Sequence, residues 1–224
     1  MGIGMRKGGS NARRGESGFE FGAGAPCLDF ANTVESRPDA ARRRDRLGTY
    51  GDLVAWARAA GLLSAREAAV LARRAAARPR LAAAALGRAV ALREAIYGIF
   101  SAVAAGRRPA ARDLVVLNRA LGAALGRLRV ARGRDGYGWV WASGDRAGSP
   151  LSLDRPWWPV ARSAAELLAS VQLARVRECA ASSCGWLFLD RSRNASRRWC
   201  DMRVCGNREK ARRFYRRRRA GARG

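Results

Sequence analysis

CAASSCGWLFLDRSRNASRRWCDMRVCGNR, residues 179–208, carries four of the five cysteines of this 224-residue chain. They stand as two pairs of equal spacing, Cys179-x4-Cys184 and, fifteen residues on, Cys200-x4-Cys205. Two short thiolate pairs joined by a spacer suit one structural zinc ion, each pair forming a knuckle. Disulfides, a redox pair and an iron–sulfur cluster are the alternatives. Disulfides need an oxidising compartment, and the familiar cluster spacings differ.

The spacer fits two knuckles. Trp186 to Leu189 reads as a strand, Asp190 to Asn194 as a turn, and Ser196 to Trp199 as a returning strand. Gly206-Asn207 is a bend, and Arg208 to Arg219 has no breaker, so a terminal helix is expected. This order is that of a treble-clef-like finger. So few apolar residues leave much of the folding free energy to the metal.

Charge points to the partner. Lys and Arg number 44 against 18 Asp and Glu, a formal net charge of +26. From Arg175 onward sixteen basic residues face four acids. High-GC codon usage explains Arg in place of Lys, but not why the acids fail to keep pace. Such a surplus favours polyanionic partners: DNA, RNA or an acidic membrane surface. Arg208, Arg212, Arg216 and Arg219 are expected on one helical face, and Phe214 and Tyr215 to pack on the finger or stack on bases.

Histidine is absent. That removes the commonest general base, every Ser-His or Cys-His pair and every His ligand, and no other group stands in a recognisable catalytic setting. An enzyme is therefore not expected. No apolar run approaches the roughly 20 residues of a membrane helix, and residues 1–18 lack the apolar stretch of a secretory signal. These readings imply a reducing cytoplasm, with the chain at the nucleoid.

Upstream the chain reads as mainly helical. Residues 1–18 are expected as a disordered basic arm. Helices are expected over Asp52–Leu63 with Gly61 as the stop, from Ser64-Ala-Arg-Glu67 (a capping-box spacing) to Pro79, and onward to Gly106. The last of these carries Leu86, Val90, Ile96, Phe100 and Val103 near one face. The next, about Ala110–Leu125, carries Leu114, Leu117, Leu121 and Leu125. Leu128–Ala131 and Tyr137–Ala142 read as a hairpin around Gly133-Arg134-Asp135-Gly136. A final helix is expected over Trp157–Leu173, burying Val160, Ala164, Leu167, Leu168 and Val171. Cys27, alone in an apolar context, reads as a small core residue.

The C-terminal pattern resembles the CGNR zinc-finger family. It rests on Cys179, Cys184 to Asp190, Ser192-Arg193-Asn194, Arg197 to Cys200, and Cys205-Gly206-Asn207-Arg208 with Lys210 and Arg212. Upstream, Cys27 to Thr33 and the Asp52–Trp56 region resemble the domain that precedes this finger, the ABATE family, described as a "putative stress-induced transcription regulator". The resemblance implies a bacterial, zinc-dependent, DNA-binding transcription regulator of the stress response.

The expected organisation is a helical domain with a small hairpin at 19–174, the finger with its basic helix at 175–219, and a tail at 220–224. Cys179, Cys184, Cys200 and Cys205 are the expected ligands of one structural Zn2+. Arg193, Arg197, Arg198, Arg208, Lys210, Arg212 and Arg213 are the expected nucleic-acid contacts. The helical domain is expected to sense a signal or form a homodimer. Asp29 and Asn32 are read as capping and hydrogen-bonding residues rather than a ligand site. The rival readings are an RNA-binding or ribosome-associated zinc protein, and an enzyme whose finger is purely structural.

Overall fold

The computed structural model describes residues 13–14, 18–133, 136–142 and 150–221. Of the expected basic arm, residues 1–12 and 15–17 lie outside the described residues. Strand β1 (Arg13–Arg14) pairs antiparallel with β2 (Glu20–Phe21), so the part beside the domain is ordered by backbone pairing.

Helix α1 (Pro26–Ala31) starts on a proline, whose fixed φ suits the first helical position. The short strands β3 (Val34–Glu35) and β4 (Arg44–Asp45) follow as an antiparallel pair. Helix α2 (Tyr50–Ala59) begins two residues before the expected Asp52. Thr49 caps it, exchanging hydrogen bonds with Asp52, and Gly61 takes positive φ beyond its end. Helix α3 (Ala65–Ala77) carries the expected capping box of Ser64 and Glu67. Pro79 then opens α4 (Pro79–Ala104), and α5 (Ala111–Leu125) returns alongside it.

α4 is the spine of the core. Its buried face is Ala82, Ala85, Ala89, Leu92, Ile96, Ile99 and Phe100 rather than the expected line through Leu86, Val90 and Val103. Alanines admit neighbouring helices closely, which displaces the larger side chains to the flanks. Trp56, Phe30, Leu28, Leu53 and Trp158 fill the surrounding space, with the Phe30 and Trp56 rings 4.7 Å apart. Cys27 is fully buried, as expected of a core residue, and burial pushes its thiol up to about 12.

Arg93 places a charge inside this core. Arg93 is 2% exposed and forms a bidentate pair with Asp45, both bonds 2.7 Å, and a third bond to Glu94. Burial raises the Asp45 carboxyl, but the Arg93 guanidinium outweighs it and holds the group below its ordinary range.

On α5 Leu117 and Ala124 are buried; of the expected leucine stripe Leu117 alone is buried, Leu121 is half-buried, and Leu114 and Leu125 are exposed. The hairpin forms from β5 (Leu128–Gly133) and β6 (Gly136–Trp141), with Gly133 opposite Gly136 in the ladder rather than in the loop. Residues 134–135 lie outside the described residues.

The last helix of this part corrects the expected Trp157–Leu173. A 3₁₀ turn over Arg155–Trp157 leads into α6 (Trp158–Leu168). Ser170 ends the run, its hydroxyl donating to the Leu167 carbonyl and accepting from Gln172 N–H. Val160, Ala164 and Leu167 are buried as expected, whereas Val171 is 95% exposed in the following 3₁₀ turn.

Strands β7 (Val176–Glu178) and β8 (Leu187–Leu189) pair antiparallel, and both pack on α4 while β8 also meets α1. Val176, Leu187 and Leu189 belong to the main core. The chain closes with a π turn over Met202–Gly206 and helix α7 (Asn207–Gly221). The protein is mainly helical, with four separate two-stranded antiparallel sheets among the described residues.

Candidate metal centre and nucleic-acid interface

The first cysteine pair is the tip of the β7–β8 hairpin. Cys179 ends β7 and donates its N–H to the Trp186 carbonyl, while Cys184 N–H closes a turn on Ala181. Gly185 follows at φ +70, where a β-carbon would stand 2.9 Å from Pro38 Cδ. Only glycine combines that conformation with that approach. The second pair comes from the segment after β8. Asp201 accepts from the N–H groups of Arg203 and Val204, tightening the turn that carries Cys205 back to Cys200.

The four Sγ atoms lie within 4.8 Å of one another. Cys184 to Cys200 and Cys200 to Cys205 are each 3.6 Å. Sulfurs at tetrahedral corners about 2.3 Å from one zinc are separated by about 3.8 Å, so the donor set fits that ion. Its neighbours hold the Cys179 thiol far below its ordinary range through hydrogen bonds from Cys184, Cys200 and Cys205. Ala181, Trp186, Phe188 and Trp199 wall the cluster. Four thiolates would fill a tetrahedral shell and leave no open position for a substrate, which is structural rather than catalytic chemistry.

The expected returning strand over Ser196–Trp199 is absent, because β7 takes one edge of β8 and Asn32 with Ala23 takes the other. A buried carboxylate organises that segment instead. Asp190 accepts from Ser192 N–H and Arg197 N–H, both at 2.8 Å. Burial raises its carboxyl, but these bonds outweigh it and hold the group below its ordinary range.

The seven expected contact residues divide into two sets. Arg197 donates to the carbonyls of Trp199 and Cys200, and its guanidinium lies 4.6 Å from the Phe188 ring centre. Arg212 bonds Ser182 and Glu209, and Arg208 reaches Ser183 at 3.4 Å, tying α7 to the first knuckle. These three hold the finger together. Arg193, Arg198, Lys210 and Arg213 are exposed and have no acidic partner among the described residues. Arg198 also stacks on Trp199, 5.5 Å from its ring centre.

Sequence reading missed Arg203. It shares a cleft of about 480 Å³ with Arg197, Arg198, Trp199 and Met202, and its place between Cys200 and Cys205 was the available signal. A second cleft of about 470 Å³, with Arg175, Arg191 and Arg193 on its walls, lies on the other side of the Ser192–Arg198 segment.

Residues 24–171 match the ABATE family, described as "putative stress-induced transcription regulator". The chain belongs to the ABATE family. Residues 175–218 match the CGNR zinc finger. The expected family architecture is thereby borne out, and together with the clustered cysteines it supports a bound zinc ion. Neither is an enzyme family. No curated protein matches the chain. No helix among the described residues is long and apolar enough to cross a membrane.

Proposed function

We propose that this ABATE protein is a zinc-dependent DNA-binding transcription regulator, and not an enzyme, acting at the nucleoid in the cytoplasm. Cys179, Cys184, Cys200 and Cys205 would hold the ion, which supplies folding free energy to a segment too poor in apolar residues to fold by burial. DNA is met by Arg193, Arg198, Arg203, Lys210 and Arg213. The helical part senses a signal or joins two copies.

One observation carries this reading: Arg198 and Arg203, exposed and without acidic partners among the described residues, line the cleft beside the second knuckle, on a segment tied down by buried Asp190 and half-buried Arg197. Free guanidinium groups on a rigid frame suit phosphate oxygens and guanine edges. The family match supports a regulatory role, and its description supports a stress signal.

Competition at one salt concentration tests the polyanion, using duplex DNA, structured RNA and single strands. Duplex preference supports the reading. A tenfold preference for structured RNA overturns it in favour of an RNA-binding role.

A further inference from the structure

Hairpin β5–β6 carries an apolar and basic face that the finger does not use. Its register sets Leu128 opposite Trp141, Val130 opposite Trp139 and Arg132 opposite Tyr137. Alternation along each strand puts these six on one side. The base of that side is anchored: the Trp141 ring lies 6.0 Å from that of Trp158, and the Arg155 guanidinium 5.9 Å from the Trp141 ring centre. The tip is bare. Trp139 is 63% exposed and Tyr137 79%, with Val130 between the strands also exposed. Arg162 of α6, which pairs with Glu166, stands 6.0 Å from the Trp139 ring.

Aromatic faces anchored at one end and open at the other would ordinarily suggest a second copy of the chain. Charge argues otherwise. Residues 127–142 hold four arginines and a single acid, so two copies of the hairpin would bring together eight arginines and only two acids. A partner is needed that is anionic and also presents flat apolar groups. Nucleobases on a phosphate backbone have both properties, and they are free to stack only where they are not paired in a duplex.

We propose that the Trp139–Tyr137 face of this hairpin is a stacking platform for single-stranded nucleic acid, separate from the finger. Tyr137 and Trp139 stand two residues apart, about 6.8 Å along the strand. That is twice the 3.4 Å at which bases stack along one strand of a duplex, which leaves room for bases splayed from their neighbours. Arg132 beside Tyr137, and Arg162 beside Trp139, lie where backbone phosphates pass.

The test compares the full-length zinc-loaded protein with its Tyr137→Ala/Trp139→Ala variant, both side chains being exposed. Binding of a fluorescent twenty-residue oligothymidylate weakens at least tenfold, a duplex of equal length changes less than twofold, and Tyr137→Phe/Trp139→Phe retains the single strand. Unchanged oligothymidylate affinity in the alanine variant overturns the proposal. Displacement of the oligothymidylate by polyglutamate at equal charge overturns it in favour of an acidic peptide. A dimer in sedimentation that the alanine pair splits overturns it in favour of a second copy. The finger variant Arg198→Ala/Arg213→Ala keeps the two readings apart: loss of duplex binding there, with oligothymidylate binding kept, leaves the hairpin proposal standing. If that variant alone loses the single strand, the hairpin proposal falls.

Discussion

The side-chain amide of Asn32, at the end of α1, forms both hydrogen bonds with the backbone of Leu187 in β8. Asn32 Nδ2 donates to the Leu187 carbonyl at 2.9 Å and Leu187 N–H donates to Asn32 Oδ1 at 2.9 Å. The amide thereby acts as a third strand would, closing the exposed edge of the finger's hairpin. Around it Leu189 N–H donates to the Ala23 carbonyl, and Tyr97 and Ser101 donate to the Glu178 carboxylate. Helical part and hairpin β7–β8 therefore share one polar seam, beside which Val176, Leu187 and Leu189 join the main core.

Replacing Asn32 with Ala leaves a backbone donor and acceptor of Leu187 buried without partners. Each such group costs about 1–3 kcal/mol, so a total loss of about 2–6 kcal/mol is expected. Urea unfolding measures it. A variant with the wild-type midpoint would remove Asn32 from its structural role.

Zinc removal has a bounded effect for the same reason. Val176, Leu187 and Leu189 are held by the core, whereas residues 196–221 rest on the second knuckle and α7. Cys200→Ser should lose the metal and expose α7 amides to exchange within the dead time. The Leu187 amide should stay protected, because Asn32 holds it. Metal analysis with hydrogen exchange checks both halves, and a full complement of zinc in Cys200→Ser rejects the ligand set.

How far the sequence was legible depended on the range of the signal. Ser64 and Glu67, Gly61 and Pro79, and the two cysteine pairs all act over a few residues, and each marks the feature expected of it. Val171 fitted the helical period of α6 yet lies in solvent, because the helix ends at Leu168 and Ser170 opens a separate turn. The partner of β8 was misread because pairing is non-local, and Val176 offers only the last three residues before Cys179 as a strand. The structural duties of Arg197 and Arg208 had no sequence signal, since an arginine donating to carbonyls or a hydroxyl reads like one free for phosphate; for Arg212 the only signal was Glu209 three residues before it.

Asp29 predicts a pH effect of uncommon sign. Its Oδ1 accepts from the N–H groups of Gly22 and Ala23, but burial dominates and raises the carboxyl to about 6. The folded protein therefore binds this proton more tightly than the unfolded chain, whose carboxyl titrates near 3.9. The contribution is most favourable below pH 4 and is lost as pH rises through 6, a change of about 2–3 kcal/mol. Asp45, Glu94 and Asp190, held low, act in the opposite sense. Asp29→Asn keeps an acceptor without the charge. Stability of variant minus wild type should grow from pH 4 to pH 7, and a flat difference over that window contradicts the assignment.

The two sets of finger arginines should separate in one experiment. Arg198→Ala/Arg213→Ala removes exposed cations that have no acidic partner, so zinc content and unfolding midpoint should hold. The slope of log affinity for duplex DNA against log salt should shrink by about one to two, since each phosphate contact on B-DNA contributes about 0.9. Arg197→Ala instead strips donors from the carbonyls of Trp199 and Cys200 and a cation from the Phe188 ring. It should lower the midpoint of α7 unfolding by several degrees and weaken binding through a loosened finger. Equal slopes in wild type and the double variant, with zinc intact, would place the DNA contact away from these side chains.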